Sequence, residues 1–213
     1  MEAILFDLDN TLYPPQRELF SLIDCRINRY MREVVGIPAE EVDGLRRRYW
    51  ADYGVTLQGL IRHHGVDPED YLEYVHDVDV NSRLQPDSIL RSALQSLPQR
   101  RLVFTNGSRG HAQRVLSSLG IEDVFEEIFD IRVASYLPKP FPEPYRKVLA
   151  HIGVSPERCL MVEDSVENLR TAKDLGMGTI LVGQGDRPAY VDVQVARADQ
   201  VPGAMGHWNL ETL

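Results

Sequence analysis

Residues 4–14, ILFDLDNTLYP, decide how this chain is read. An apolar run, EAILF at 2–6, has the look of a short buried strand. It ends in two aspartates one residue apart, Asp7 and Asp9, followed by Asn10, Thr11 and the pair Pro14-Pro15. Taken alone, two acids at a strand end form an Asx-type turn as readily as they form a site. The rest of the chain decides between these readings.

The 213 residues are long for one domain and short for two equal ones, which suits a main domain carrying a smaller insertion. Composition is that of a globular protein, with 43% hydrophobic and 26% charged residues. A net charge of −9 argues against a broadly basic face for a nucleic-acid polymer or a membrane. Cys25 and Cys159 are the only cysteines, and no C-x-x-C or Cys/His cluster suggests a disulfide framework or zinc site. No apolar run approaches a membrane span, and the first residues enter a strand without a signal-peptide pattern. The expected location is the cytoplasm.

From Gln16 to Val35, the residues Leu19, Phe20, Ile23, Ile27, Tyr30, Met31 and Val34 fall at helical spacings. Gly36 stops that helix and Pro38 opens a second, which runs to about Tyr53 with Gly54 as its stop. VTLQGLIRHH gives a third helix ending at Gly65, and Asp67-Pro68 caps a fourth. Residues 15–85 are therefore expected to be a four-helix insertion. After Pro86 helices at 87–97 and 109–119 alternate with the strands RLVFT, IFDIRVA, CLMVED and TILVG. That alternation predicts an α/β fold: a Rossmann-like parallel sheet core, residues 1–14 and 86–213, with the helical cap inserted after the first strand. Residues 197–213 are weakly patterned.

The chemistry-bearing residues fall at the C-terminal ends of these strands, where open α/β sheets bind their ligands. Strand one ends at Asp7, RLVFT at Thr105 with Asn106 and Gly107 next, and CLMV at Glu163-Asp164; Lys139 follows IFDIRVASYLP. An aspartate is ionised at neutral pH and needs no base to act as a nucleophile. To approach a phosphate dianion it does need its charge offset, and magnesium bound by carboxylates offsets it. Asp7 and Asp164 suit that role, with Glu163 beside them. Lys139, the Thr105 hydroxyl and backbone N–H groups near Asn106 and Gly107 suit the phosphoryl oxygens. Asp9 suits a proton carrier that protonates the leaving oxygen and then activates water.

DLDNT, FTNG, LPKP and VEDSVEN, in this order, resemble the four motifs of the haloacid dehalogenase-like hydrolase superfamily. The resemblance implies Asp7 as nucleophile, Asp9 as acid/base, and Thr105 and Lys139 as phosphate ligands. It implies a magnesium ion on Asp7, the Asp9 carbonyl and Asp164, with Glu163 neighbouring or reaching it through water, and Asn168 behind them. The insertion resembles the family's helical cap. A narrower resemblance joins YWADYGVTLQGLIRHHGV and DLDNTLYP to the pyrimidine 5′-nucleotidase branch, which implies Tyr49, Tyr53, Thr56 and Gly59 facing a nucleoside. The dehalogenases of the superfamily need no metal and lack the second acid of the first motif, so Asp9 argues against dehalogenation.

The bland alternatives are specific. Glu163-Asp164 before a helix would serve as caps, and His63 and His64 sit at a helix end where histidine suits the dipole. His111, just inside the helix after the second motif, is at best a weak substrate contact. Tyr49, Trp50 and Tyr53 read as helical core before they read as a base-stacking surface. The expected activity is a magnesium-dependent phosphomonoesterase on a small phosphate ester, a pyrimidine nucleoside 5′-monophosphate first. A sugar-phosphate phosphatase or phosphomutase is the alternative. A phospho-acceptor signalling domain uses a similar residue set, but there the acidic pair comes first in the chain and here it comes last.

Overall fold

The computed structural model describes residues 1–209. Six parallel strands form one sheet in the order β3-β2-β1-β4-β5-β6. They are β1 (Ala3–Phe6), β2 (Arg100–Phe104), β3 (Glu127–Phe129), β4 (Cys159–Glu163), β5 (Gly178–Val182) and β6 (Val193–Val195). β1 is central, and Ala3–Phe6 are each fully buried. A side chain points to alternate faces at each step along a strand. Ile4, Phe6, Val103, Leu160 and Val162 accordingly join one apolar layer, and Ala3, Leu5, Leu102, Phe104 and Met161 the other. A sheet buried on both faces explains why its strands read as continuous apolar runs.

Four helices follow β1 and precede the crossover to β2: α1 (Leu19–Glu33), α2 (Ala39–Tyr53), α3 (Thr56–His64) and α4 (Pro68–His76). They enclose their own apolar cluster, which includes Ile23, Ile27, Met31, Tyr49, Leu60 and Tyr71. Ile23, Ile27 and Met31 recur every fourth residue and so share one face of α1. Asp67 caps α4 by accepting from the backbone N–H groups of Glu69 and Asp70. The remaining crossovers are α5 (Ser88–Gln95), α6 (Arg109–Leu119), α7 (Pro142–Ile152) and α8 (Val166–Asp174).

Two local expectations are corrected. The first helix begins at Leu19, because Pro15–Arg17 form a 3-10 turn and Glu18 takes a left-handed backbone (φ 54°). IFDIRVA is a strand only to Phe129, because the Asp130 carboxylate accepts from Arg132 N–H and caps a 3-10 turn over Ile131–Ala134. The weakly patterned end contributes short helices at Val201–Ala204 and Gly206–Asn209, and Val201 and Met205 join the core under the sheet; residues 210–213 lie outside the described residues. β6 pairs with β5 through Ile180↔Val193, an edge strand not assigned from the sequence. Among the described residues no helix is long and apolar enough to cross a membrane.

Candidate active site

The Asp7 backbone N–H donates to the Val162 carbonyl at 2.9 Å, which carries the β1–β4 ladder one residue past the strand end. The chain then turns. Asn10 adopts φ 63°, a conformation Asn tolerates through its short polar side chain, and Leu12 N–H donates to Leu8 O at 3.0 Å. This turn folds the fourth residue onward back over each acid. The Thr11 hydroxyl donates to Asp7 Oδ2 at 2.9 Å, and the Tyr13 hydroxyl to Asp9 Oδ1 at 2.5 Å.

Lys139 comes from the loop before α7 and is 1% exposed. Asn106 grips its backbone from both sides, donating to Lys139 O at 3.0 Å and accepting from Lys139 N–H at 2.8 Å. The ammonium donates to Asp7 Oδ1 (2.8 Å), Glu163 Oε2 (2.8 Å) and the Phe104 carbonyl (2.7 Å). Burial works against the lysine's charge, but Asp7 and Glu163 outweigh it and hold Lys139 above its ordinary value. Glu163 also accepts from Asn168 Nδ2 at 3.0 Å and from the backbone N–H groups of Asp164 and Ser165. The Thr105 hydroxyl accepts from Gly107 N–H at 2.9 Å, which leaves its own proton to donate.

Asp7, Glu163 and Asp164 each offer a carboxylate oxygen, and these atoms lie within 4.8 Å of one another. One ammonium does not balance three carboxylates. Burial and the Glu163 charge push Asp7 up to about 7 against the pull of Lys139. Burial, Asp7 and Glu163 push Asp164 up to about 9. An all-oxygen, charge-deficient cluster of this kind fits a hard dication such as magnesium.

Asp9 is treated differently. Burial works upward, but His111 and the Tyr13 hydroxyl outweigh it and hold Asp9 below the usual carboxylate range. His111 Nε2 lies 2.8 Å from Asp9 Oδ1. His111, expected at most as a weak substrate contact, lies on Asp9 instead, and Tyr13, Thr11 and His76, to which the sequence assigns no site role, join the site. The four-residue spacing from Asp7 to Thr11 and from Asp9 to Tyr13 was a local signal for two of them. His111 lies 102 residues from Asp9, and no local pattern joins them.

Above these residues lies a cavity of about 660 Å³ between the sheet edge and the four helices. Asp7, Asp9, Thr105, Lys139 and Asp164 line its floor, and Phe20, Ile23, Arg46, Trp50, Thr56 and Tyr71 line its upper wall. Of the expected cap contacts only Thr56 is on the wall. Tyr49 is 1% exposed, stacks on His63 at 5.3 Å and bonds His64 Nε2 at 3.0 Å. Tyr53 bonds His63 Nε2 at 2.9 Å, and Gly59 is packed against the Tyr49 ring. Tyr49, Tyr53 and Gly59 thus form the seam between α2 and α3. One step along a helix turns about 100°, and that step carries Trp50, not Tyr49, to the cavity.

Residues 1–176 match the haloacid dehalogenase-like hydrolase family. Phosphate metabolism protein 8 of Saccharomyces cerevisiae is 28% identical over 84% of this chain, which spans 61% of that protein's length. The phosphoglycolate phosphatase of Nitrosococcus oceani is 28% identical over 94% of this chain and 91% of its own. The structure of a HAD phosphatase from Thermococcus onnurineus superposes with a TM-score of 0.66 at 19% identity, over 97% of this chain and 99% of that one. With the motifs at the strand ends and the family match covering most of its length, the chain belongs to the haloacid dehalogenase-like hydrolases.

Proposed function

We propose that this protein is a magnesium-dependent phosphomonoesterase working through an aspartyl phosphate on Asp7. The observation that carries this reading is the opposite treatment of the two acids of the first motif. Asp7 sits in the Lys139–Glu163–Asp164 cluster, while Asp9 is held apart by Tyr13 and His111. A carboxylate kept out of the metal cluster and facing the same cavity is what general acid–base work requires.

Asp7 attacks phosphorus as the bond to the leaving oxygen breaks, and Asp9 protonates that oxygen. Asp9 then takes a proton from the water that hydrolyses the aspartyl phosphate. Held low in the free protein, Asp9 is brought toward protonation by an arriving phosphate dianion. Thr105 holds a phosphoryl oxygen, Lys139 turns the N–H it gives Asp7 toward another as the phosphoryl group arrives, and Asn106 and Asn168 fix Lys139 and Glu163. Asp7, Asp164 and the Asp9 carbonyl, with Glu163 alongside, would hold magnesium, which when bound would neutralise charge for the approach of two anions. The helices α1–α4 act as the cap that excludes water and meets the leaving group.

For substrate, a pyrimidine nucleoside 5′-monophosphate remains the first reading. A cavity of about 660 Å³ with Phe20 and Trp50 on its wall suits an aromatic leaving group larger than a two-carbon acid. The sugar-phosphate alternative draws on relatives such as the phosphoglycolate phosphatase of Nitrosococcus oceani. A panel of phosphate monoesters with magnesium separates them. Uridine or cytidine monophosphate should exceed phosphoglycolate and hexose phosphates in kcat/KM, and equal or reversed rates would exclude the nucleotidase reading. Asp7→Asn should abolish turnover in a folded protein; near-native activity in that variant would remove the nucleophile assignment.

A further inference from the structure

Asp9 is held through one oxygen only. The Tyr13 hydroxyl donates to Oδ1 at 2.5 Å, and His111 Nε2 lies 2.8 Å from the same atom. His111 is fully buried, and its Nδ1 has no hydrogen-bond partner among the described residues. A proton on Nδ1 would be buried without an acceptor, so a singly protonated ring carries its proton on Nε2 and donates it to Asp9.

The His111 ring is itself held in place. His76, the last residue of α4, stacks on it with centroids 4.6 Å apart and 20° between planes. His76 donates from Nδ1 to the Leu72 carbonyl at 2.9 Å. Neither Tyr13 nor His111 lines the cavity, whereas Asp9 does.

The geometry points to Tyr13 and His111 as positioning residues that fix the Asp9 carboxyl so that Oδ2 alone exchanges protons with the substrate. This inference rests on the reading of Asp9 as acid and base. In the first step a P–O bond forms to Asp7, the bond to the leaving oxygen breaks, and the Oδ2 proton passes to that oxygen. In the second, water oxygen bonds to phosphorus, one water proton passes to Oδ2, and the Asp7–phosphate bond breaks to give carboxylate and orthophosphate. Both donors stay on Oδ1 throughout. They hold the carboxyl plane and stabilise the carboxylate left when the proton departs.

The test compares native protein with Tyr13→Phe, which removes one hydroxyl and keeps the ring. His111→Gln, which retains a donor, and His111→Ala accompany it. Each is assayed with uridine monophosphate, whose alkoxide must be protonated, and with p-nitrophenyl phosphate, whose aryloxide leaves without a proton. For Tyr13→Phe, kcat on the alkyl ester should fall ~10–100-fold, a part of the ~10²–10⁴ due to general acid–base catalysis. The aryl ester should show a burst of nitrophenolate near one per protein followed by slow turnover, because aspartyl-phosphate hydrolysis also needs Asp9. His111→Gln should retain more activity than His111→Ala. Equal slowing of both esters with no burst, or native rates in Tyr13→Phe, overturns the positioning role. Asp9→Asn in parallel tells the two readings apart. If it keeps native rates on the alkyl ester, the acid–base reading falls and the inference with it. If it is inactive while Tyr13→Phe is fully active, only the positioning role falls.

Discussion

Lys139 Nζ donates to Asp7 Oδ1 at 2.8 Å across a sequence separation of 132 residues, with the lysine side chain 1% exposed and the aspartate 10%. The same ammonium reaches Glu163 at 2.8 Å, so one buried cation links the ends of β1 and β4. Removing one partner of such a pair leaves charge buried without compensation, at a cost of about 3–5 kcal/mol. Lys139→Met should therefore lose that much unfolding free energy in urea with EDTA present. Magnesium should restore part of it. An unchanged urea midpoint would contradict the role of Lys139 as the link between the acids.

The acid cluster also sets a pH dependence. Asp7 is raised to about 7 and Asp164 to about 9 in the folded chain, against an ordinary aspartate value of 3.8. The folded state thus binds more protons than the unfolded state between those limits, and this contribution to stability falls as pH rises. A bound cation offsets the burial and mutual repulsion that raise these acids. The gain in Tm on adding magnesium to EDTA-treated protein should grow as pH rises from 5 to 8. A gain that is flat across that range in thermal melts would count against these acids as its ligands.

A methyl group at Gly59 would stand 2.0 Å from Tyr49 Cγ. In an exposed helix Gly→Ala gains up to ~1 kcal/mol. Here the ring of Tyr49, 1% exposed and packed between α2 and α3, has no free space to move into. Gly59→Ala should cost roughly 1–3 kcal/mol, the usual range for overpacking. A differential urea titration reads the sign directly.

Trp50 is 58% exposed yet lines the cavity beside Phe20, which is 39% exposed. Stacking of a base on an aromatic side chain contributes ~1–3 kcal/mol. With a pyrimidine nucleotide as substrate, Trp50→Ala should raise KM for uridine monophosphate ~5- to 150-fold on that scale. Inhibition by orthophosphate, which meets only the cavity floor, should not change. Equal weakening of both would place Trp50 in cap stability instead of substrate contact.

The parallel sheet apart from its β6 edge, the helical insertion after β1 and the residues on the cavity floor were legible in the sequence. Those features rest on local patterns: apolar runs three to five residues long, glycine stops, acids and Thr105 at strand ends, and Lys139 in the loop that follows β3. Parallel strands bring their C-terminal ends to one edge whatever the helices between them do, so Asp7, Thr105, Lys139 and Asp164 meet by topology. The tertiary structure alone decided what happens around them. It set Lys139 on Asp7 and Glu163, brought His111 to Asp9, and turned Tyr49 into the α2–α3 seam while Trp50 reached the cavity. The physical reason is the same in each case. These outcomes depend on which face of one element packs against another, on contacts between residues tens of positions apart, and on how buried charge is shared, none of which a linear pattern encodes.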